Sequence, residues 1–426
     1  MKVKLAFGRD GAEVELPSHV QVTVLAAKFA EAVESAADAL AEALRHPLGS
    51  PALLDLARGK KTAAISICDI TRPAPNRVIL PHILNALEQA GVPRSGIIIL
   101  IATGLHRAAT AQELQEIVGP EILGHYAVAS HNARDEAAHT DLGTTRSGTR
   151  VLIDRRFVES DLHISLGFIE PHLMLGFSGG RKLVAPGLAS EETIKRLHSP
   201  LFMRDPRVIE GSFPDNPLHH ELLEIARMVG HDFMVDVALT RSRQIAQVFA
   251  GDPIIAHAAG VEFVRTSTLA RLDEPVDAVI TTSAGYPLDL TYYQSVKGVT
   301  AASHIVKPGG MILLAAACQE GLGSPEFTRF VRRFPNARAC LDATGHEPVV
   351  IDQWQLEKLA LVAQKARLSF CTPGIPLEDR AYLWGPVFEE PKEAVEALCA
   401  ELPRGASIAV IPEGPYVFSQ LARAQP

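Results

Sequence analysis

The stretch TAAISICDITRPAPNRVILPHILNALEQAGVPRSGIIILIA, Thr62 to Ala102, decides the fold class. Its opening run, Thr62 to Cys68, has the length and apolar continuity of a buried strand. Arg77 to Ala90 then places Val78, Ile79, Ile83, Leu84 and Leu87 at helical spacing. Gly91-Val92-Pro93 stops that helix, and Gly96 to Ile101 is a second buried strand. Strand, helix and strand in this order imply a parallel sheet covered by helices on both faces. Thr110 opens a further helix, with Glu113 placed to complete a capping box.

Working outward, Leu142 to Gly187 is glycine-rich with few periodic runs, which predicts loops over the sheet. Helical patterns resume at Glu191 to His198 and His219 to Val229, and Asp232 to Leu239 is strand-like. Pro253 to Leu272 has the pattern of a long helix, and Asp273-Glu274-Pro275 that of a linker. A second α/β unit follows. Its strands are Asp277 to Thr281, Met311 to Ala317 and Leu368 to Cys371, and its helices Leu290 to Val306 and Gln353 to Ala366. One more strand, Ala406 to Ile411, closes the chain. The expectation is two α/β domains with mainly parallel sheets, residues 1–272 and 276–403, with the tail of about 404–426 packing back on the first. A length of 426 residues agrees, at roughly 100–200 residues per domain.

Composition narrows the function. Lys and Arg number 41 and Asp and Glu 49, a net charge of −8, which disfavours general nucleic-acid binding. The longest apolar runs, Gly96 to Ala102 and Met311 to Cys318, fall short of the ~18–20 residues that span a bilayer. Met1 to Leu5 lacks the apolar stretch of a signal peptide. The five cysteines, Cys68, Cys318, Cys340, Cys371 and Cys399, form no C-x-x-C pair, which fits a reducing cytoplasm. Sixteen histidines are generous for this length. His125, His131 and His139, and the pair His219-His220, are expected to face solvent.

Ligands of open α/β sheets bind beyond the carboxyl ends of the strands. There the sequence places Asp69-Ile70-Thr71-Arg72-Pro73 and Thr103-Gly104-Leu105-His106-Arg107. Glu170-Pro171-His172 is followed by Gly176-Phe177-Ser178-Gly179-Gly180-Arg181-Lys182. Small residues beside two cations form a candidate phosphate cradle. The same turn matches G-x-S-x-G with Ser178 as nucleophile, but Pro186 and Gly187 leave little room for the helix that motif requires. A plain tight turn is the third reading. Gln294 and Lys297, in Tyr292 to Lys297, share one helix face and suit a carboxylate and a hydroxyl.

Taken in order, Asp69 to Pro73, Thr103 to Arg107, Gly167 to His172, Ser178 to Lys182, His198 and Tyr293 to Gly298 resemble the nickel-dependent lactate racemase family. The resemblance implies a two-domain α/β enzyme with its site in the interdomain cleft, inverting C2 of a 2-hydroxy acid. It implies a nickel pincer nucleotide, a Ni(II)-pyridinium-3,5-bisthiocarboxylate mononucleotide, joined to Lys182 as a thioamide and coordinated by His198. Asp69, Ile70, Thr71 and Arg72 match the segment that contacts the nucleotide, and backbone physics adds Ser178-Gly179-Gly180 as a phosphate seat. His106 and His172 match the acid/base pair, which serves a hydride transfer to and from the cofactor. Arg72, Gln294, Lys297 and Tyr293 match substrate-binding positions. Proteins of cofactor biosynthesis are implied as loading partners. Leu173 and Met174 stand where many members carry aromatic residues, so the substrate side chain stays open. Trp354 lines the pocket or packs its helix. Two other functions remain: a serine hydrolase using Ser178 with Asp342 and His346, and a cofactor-binding protein without turnover.

Overall fold

The computed structural model describes residues 1–422 and divides the chain into two compact units. One unit comprises Phe29–Leu197 and Ser212–Ser267. The other comprises Met1–Lys28, His198–Gly211 and the chain from Thr268 onward.

The first unit is built on a six-stranded sheet. Its order is Ile245–Gly251, Phe233–Leu239, His163–Phe168, Ala63–Cys68, Ile97–Ala102 and Ala127–Ser130. All neighbours are parallel except the pair of Ile245–Gly251 with Phe233–Leu239. Ala63–Cys68 is buried along its whole length, as its unbroken apolar run requires. The helix Asn76–Gln89 buries Ile79, Leu80, Ile83, Leu84 and Leu87. The Thr110–Glu113 capping box forms on both sides.

The second unit carries another six-stranded sheet, wholly parallel. Its order is Val387–Phe388, Arg367–Cys371, Val306–Ala315, Val276–Thr282, Ser407–Ile411 and Gln21–Val24. One face packs Ile312, Leu314 and Phe370 with the helix Tyr292–Ser303. The other packs Ile280, Leu313 and Val410 against Val395 and Leu398 of the helix Pro391–Ala400.

Several expectations change. The segment Leu142 to Gly187 is not mainly loop: it contains His163–Phe168, a central and fully buried strand. The expected helix Pro253 to Leu272 runs over Ile255–Thr268, and Leu269–Leu272 is a strand beside Phe418–Leu421. The tail returns to the N-terminal residues Gln21–Val24, which belong to the second unit's sheet. Ser407–Ile411 inserts between Val276–Thr282 and Gln21–Val24, where both of its edges are hydrogen-bonded; the last four residues of that expected tail, 423–426, lie outside the described residues. Residues 1–28 and 198–211 also leave the expected first domain. Lys358 holds the second of these segments by donating to Met203 and Val208 carbonyls at 2.7 and 2.6 Å.

His131 and His139 are buried, not solvent-facing, and so is His219. His131 Nδ1 lies 2.9 Å from Asp154 Oδ2, and Arg156 donates to both Asp154 oxygens at 2.9 and 2.7 Å. Burial works to raise the Asp154 carboxyl, but Arg156 and His131 outweigh it and hold it well below its ordinary value. Asp154→Ala would strand His131 and lower stability by about 3–5 kcal/mol in urea unfolding. With the folded pKa depressed, this contribution is complete above the unfolded value of about 3.9 and is lost as pH falls through the folded one.

Candidate functional site

Three adjacent parallel strands, His163–Phe168, Ala63–Cys68 and Ile97–Ala102, end at one edge of the first unit's sheet. Beyond those ends come His172, then Asp69 to Arg72, then His106. Side chains from three separate sequence motifs thus share one edge.

Asp69 is buried beneath His106. His106 Nδ1 lies 2.6 Å from Asp69 Oδ2, and the Thr71 hydroxyl donates to Oδ1 at 2.6 Å. Burial works to raise the Asp69 carboxyl. The His106 hydrogen bond and charge, the Thr71 hydroxyl and Arg72 outweigh it, so the carboxyl sits below its ordinary value. A carboxylate can only accept, so Nδ1 of His106 carries the proton and Nε2 keeps its lone pair. The His106 side chain is 51% exposed, open to an incoming molecule.

His172 has the opposite arrangement. It sits on the two-residue strand Pro171–His172, paired with Gly176–Phe177. Its Nδ1 accepts the N–H groups of Met174 and Leu175, each at 3.3 Å. The two rings are therefore held through Nδ1 in opposite ways: His106 donates there to Asp69, and His172 accepts there from backbone N–H groups. Leu173 and Met174 are buried beside it, and the Met174 carbonyl accepts from Asn216 Nδ2 at 2.8 Å.

Lys182 is half-buried on the short 3-10 turn Gly180–Leu183. Ser66 Oγ donates to the Leu183 carbonyl at 2.7 Å, and Gly104 N–H donates to Gly187 O at 3.0 Å, which ties this region to two strand ends. The buried Cys68 thiol is pushed up to about 12, first by burial, then by Asp236 and Asp69, against the pull of Arg72 and Lys182. Those charges therefore gather around one strand end. The Arg72 guanidinium makes no hydrogen bond or ion pair among the described residues and is available to an anion.

The Ser178-Gly179-Gly180 turn differs from the phosphate seat expected of it. Ser178 N–H donates to Glu170 O at 2.9 Å, and Gly180 N–H donates to Asp236 Oδ2 at 2.7 Å. Two of the turn's donors are thus spent, and a buried carboxylate lies behind it. The hydrolase reading loses its nucleophile in the same way. Ser178 Oγ donates to Phe168 O and accepts Glu170 N–H, both at 3.0 Å, with no imidazole partner. A 3-10 turn follows it instead of a helix, and Asp342 pairs with Arg338 on an exposed helix face. Both Asp69 oxygens are engaged within the chain, Oδ1 by Thr71 and Oδ2 by His106.

The second unit holds the remaining candidates. Thr291 caps the helix Tyr292–Ser303, placing Tyr293, Gln294 and Lys297 in its first two turns. The helix dipole there favours an anion. Gln294 Oε1 is buried without a hydrogen-bond partner among the described residues. Trp354 is buried, donates from Nε1 to Tyr293 Oη at 3.2 Å, and packs its ring 4.4 Å from that of His198. Trp354 thus joins the metal candidate to a substrate candidate, a link that its place on a helix did not announce. Sequence reasoning passed over Asp236 and His257, and took Arg181 for a cation of the phosphate cradle; all three are buried polar groups beneath the Lys182 turn. The lone aspartate in Phe233–Leu239, FMVDVAL, was the available signal.

Residues 7–211 match the lactate racemase N-terminal domain, and residues 272–418 match the lactate racemase C-terminal domain. The chain belongs to the lactate racemase family. A lactate racemase of Thermoanaerobacterium thermosaccharolyticum is 32% identical over 422 residues, 98% of each chain. One from Lactiplantibacillus plantarum is 34% identical over 377 residues, 88% of each. The lactate racemase apoprotein structure from Thermoanaerobacterium thermosaccharolyticum matches with a TM-score of 0.92, covering 99% of this chain and 100% of that one. A Thermotoga maritima protein shares the fold at 16% identity, with a TM-score of 0.65 over 90% of this chain and 98% of its own. The family member described here is accordingly an isomerase of the racemase class.

A nickel pincer nucleotide has to find suitable partners on this chain. Among the described residues no three His, Cys, Asp or Glu side chains gather to hold a metal ion. A nickel with one protein imidazole needs its other donors from the cofactor, whose two sulfur arms and ring carbon are such donors. Lys182 supplies an amine and His198 an imidazole, the group types that such a cofactor asks of the chain.

Proposed function

We propose that the chain inverts C2 of a 2-hydroxy acid, working with a nickel pincer nucleotide held by Lys182 and His198. The observation that carries the proposal is the Asp69–His106 pair at 2.6 Å, on the same sheet edge as His172 and Lys182. When bound, the cofactor supplies the group that accepts and returns the C2 hydrogen as hydride. The chain manages the hydroxyl proton. Two enantiomers present that hydroxyl at two positions, so two histidines are needed. His106 Nε2 takes the proton of one enantiomer, and His172 serves the other. Storage of a cofactor without turnover needs no such pair.

Arg72 and Lys297 hold the carboxylate, Arg72 as a fork. Gln294 Oε1 accepts a substrate hydroxyl, and Tyr293, Trp354 and Met174 shape the side-chain pocket. Ile70, Thr71 and Arg72 contact the nucleotide. Loading depends on cofactor-biosynthesis proteins, in a cytoplasm that keeps the five cysteines reduced. Arg72→Ala would raise KM about ten- to a hundredfold through the lost charged hydrogen bonds, with a smaller change in kcat.

The deciding experiment makes the protein with the cofactor pathway and nickel. It screens racemisation of lactate, malate, aryl-lactates, longer aliphatic hydroxy acids and sugar acids. Equimolar nickel, an adduct on the Lys182 peptide and inversion of one substrate class are expected. Inversion by metal-free, adduct-free protein would sink the proposal.

A further inference from the structure

The turn that carries Lys182 is gripped from beneath by two buried ionic groups that the reading above leaves without a task. Asp236 stands alone in an apolar strand and is fully buried. Its Oδ2 accepts Gly180 N–H at 2.7 Å, and its Oδ1 has no hydrogen-bond partner among the described residues. The carboxyl fills space that two glycines leave open. A Cβ on Gly179 would lie 2.3 Å from Oδ2, and one on Gly167 would lie 3.1 Å from Oδ1. Gly179 also has φ +91°, where a side chain is strained.

Arg181, equally buried, works on the carbonyl side. Its guanidinium donates to Phe177 O at 3.0 Å and to Gly179 O at 3.1 Å, and it donates to His257 Nε2 at 2.6 Å. Donors and acceptors of the same turn are thus fixed from opposite sides. Burying such groups is costly. Burial pushes the Asp236 carboxyl up to about 7 against the Gly180 N–H and Arg181. A cost of that kind, two residues from Lys182, calls for a function.

We propose that Asp236 is a positioning residue for Lys182: by accepting Gly180 N–H it sets the turn that aims the lysine at the bound nucleotide. The proposal rests on the reading of Lys182 as the attachment residue. The acceptor oxygen carries the role, not the charge, because a neutral carboxyl or an amide keeps an oxygen for that N–H.

The test uses the full chain and two measurements. On unloaded protein, acetylation of Lys182 by sulfo-N-hydroxysuccinimide acetate is followed by peptide mass, with the other lysines as internal reference. On protein made with the cofactor pathway and nickel, the fraction of Lys182 bearing the adduct is measured. Asp236→Asn is expected to behave as wild type in both. Asp236→Leu is expected to change the Lys182 acetylation rate and to cut the adduct fraction, each by about tenfold, with the reference lysines unchanged. Gly179→Ala, which displaces the carboxyl, is expected to do the same and serves if the leucine chain does not fold. A folded Asp236→Leu chain that labels and loads normally overturns the proposal. So does an asparagine chain that fails to load. A wild-type chain without adduct, whose Lys182 labelling still responds to Asp236→Leu, rejects the attachment reading and leaves the positioning role standing.

Discussion

Lys182→Ala is expected to lower racemisation by about a thousandfold or more while the chain still folds. Lys182 is half-buried on a turn whose shape comes from other groups: Ser66 holds Leu183, Arg181 holds the carbonyls before it, and Asp236 holds Gly180. Removing the side chain beyond Cβ leaves all three in place. The loss falls instead on attachment of the nucleotide, so intact mass should show no adduct after production with the cofactor pathway. Lys182→Arg separates charge from nucleophile, since it keeps a cation but supplies no amine for a thioamide; it should be equally adduct-free. Ser178→Ala gives the contrasting result. Its hydroxyl bonds only to Phe168 and Glu170 backbone, so that change should cost about 1 kcal/mol of stability and leave the adduct in place. Adduct and full activity in Lys182→Ala, or lost chemistry in a stable Ser178→Ala, would reverse the assignment of this turn.

How far the sequence spoke depended on where each residue finds its partners. Ala63–Cys68 and Asn76–Gln89 were legible because their apolar pattern reports burial directly. His163–Phe168, the strand between Ala63–Cys68 and Phe233–Leu239, was not. His163, Ser165 and Gly167 interrupt it, and each is explained only by tertiary neighbours. His163 Nδ1 lies 2.9 Å from Gly230 O, Ser165 Oγ lies 3.0 Å from His231 Nε2, and Gly167 leaves room for Asp236. The division into units was hidden for a similar reason. Gln21–Val24 pairs with Ser407–Ile411 across nearly the whole chain, and no local pattern announces such a pairing. In the site, His106 and Asp69 each stood in a recognisable motif. Their partnership spans 37 positions and became visible only when two strand ends were set side by side.

That partnership sets the second large effect. Asp69→Asn is expected to lower kcat by about three to four orders of magnitude with little change in KM. An asparagine amide turns either its carbonyl or its NH2 toward His106 Nδ1. Thr71 already donates to the neighbouring oxygen through its N–H and hydroxyl, so that position keeps the carbonyl and the NH2 faces the imidazole. Nδ1 must then accept, the ring proton moves to Nε2, and the base is gone. On the proposed function Arg72 and Lys297 hold the substrate carboxylate, so KM should change little. A role in packing alone would instead lower Tm and leave kcat per folded chain unchanged. The wild-type pair is also acid-resistant. Because the Asp69 carboxyl lies below its ordinary value, its stabilising share is complete above the unfolded value of about 3.9. That share is lost only as pH falls through the lower folded value. Asp69→Asn should therefore remove part of the acid dependence of stability along with the turnover. A variant with full kcat would leave His106 without its orienting partner and return Asp69 to the nucleotide.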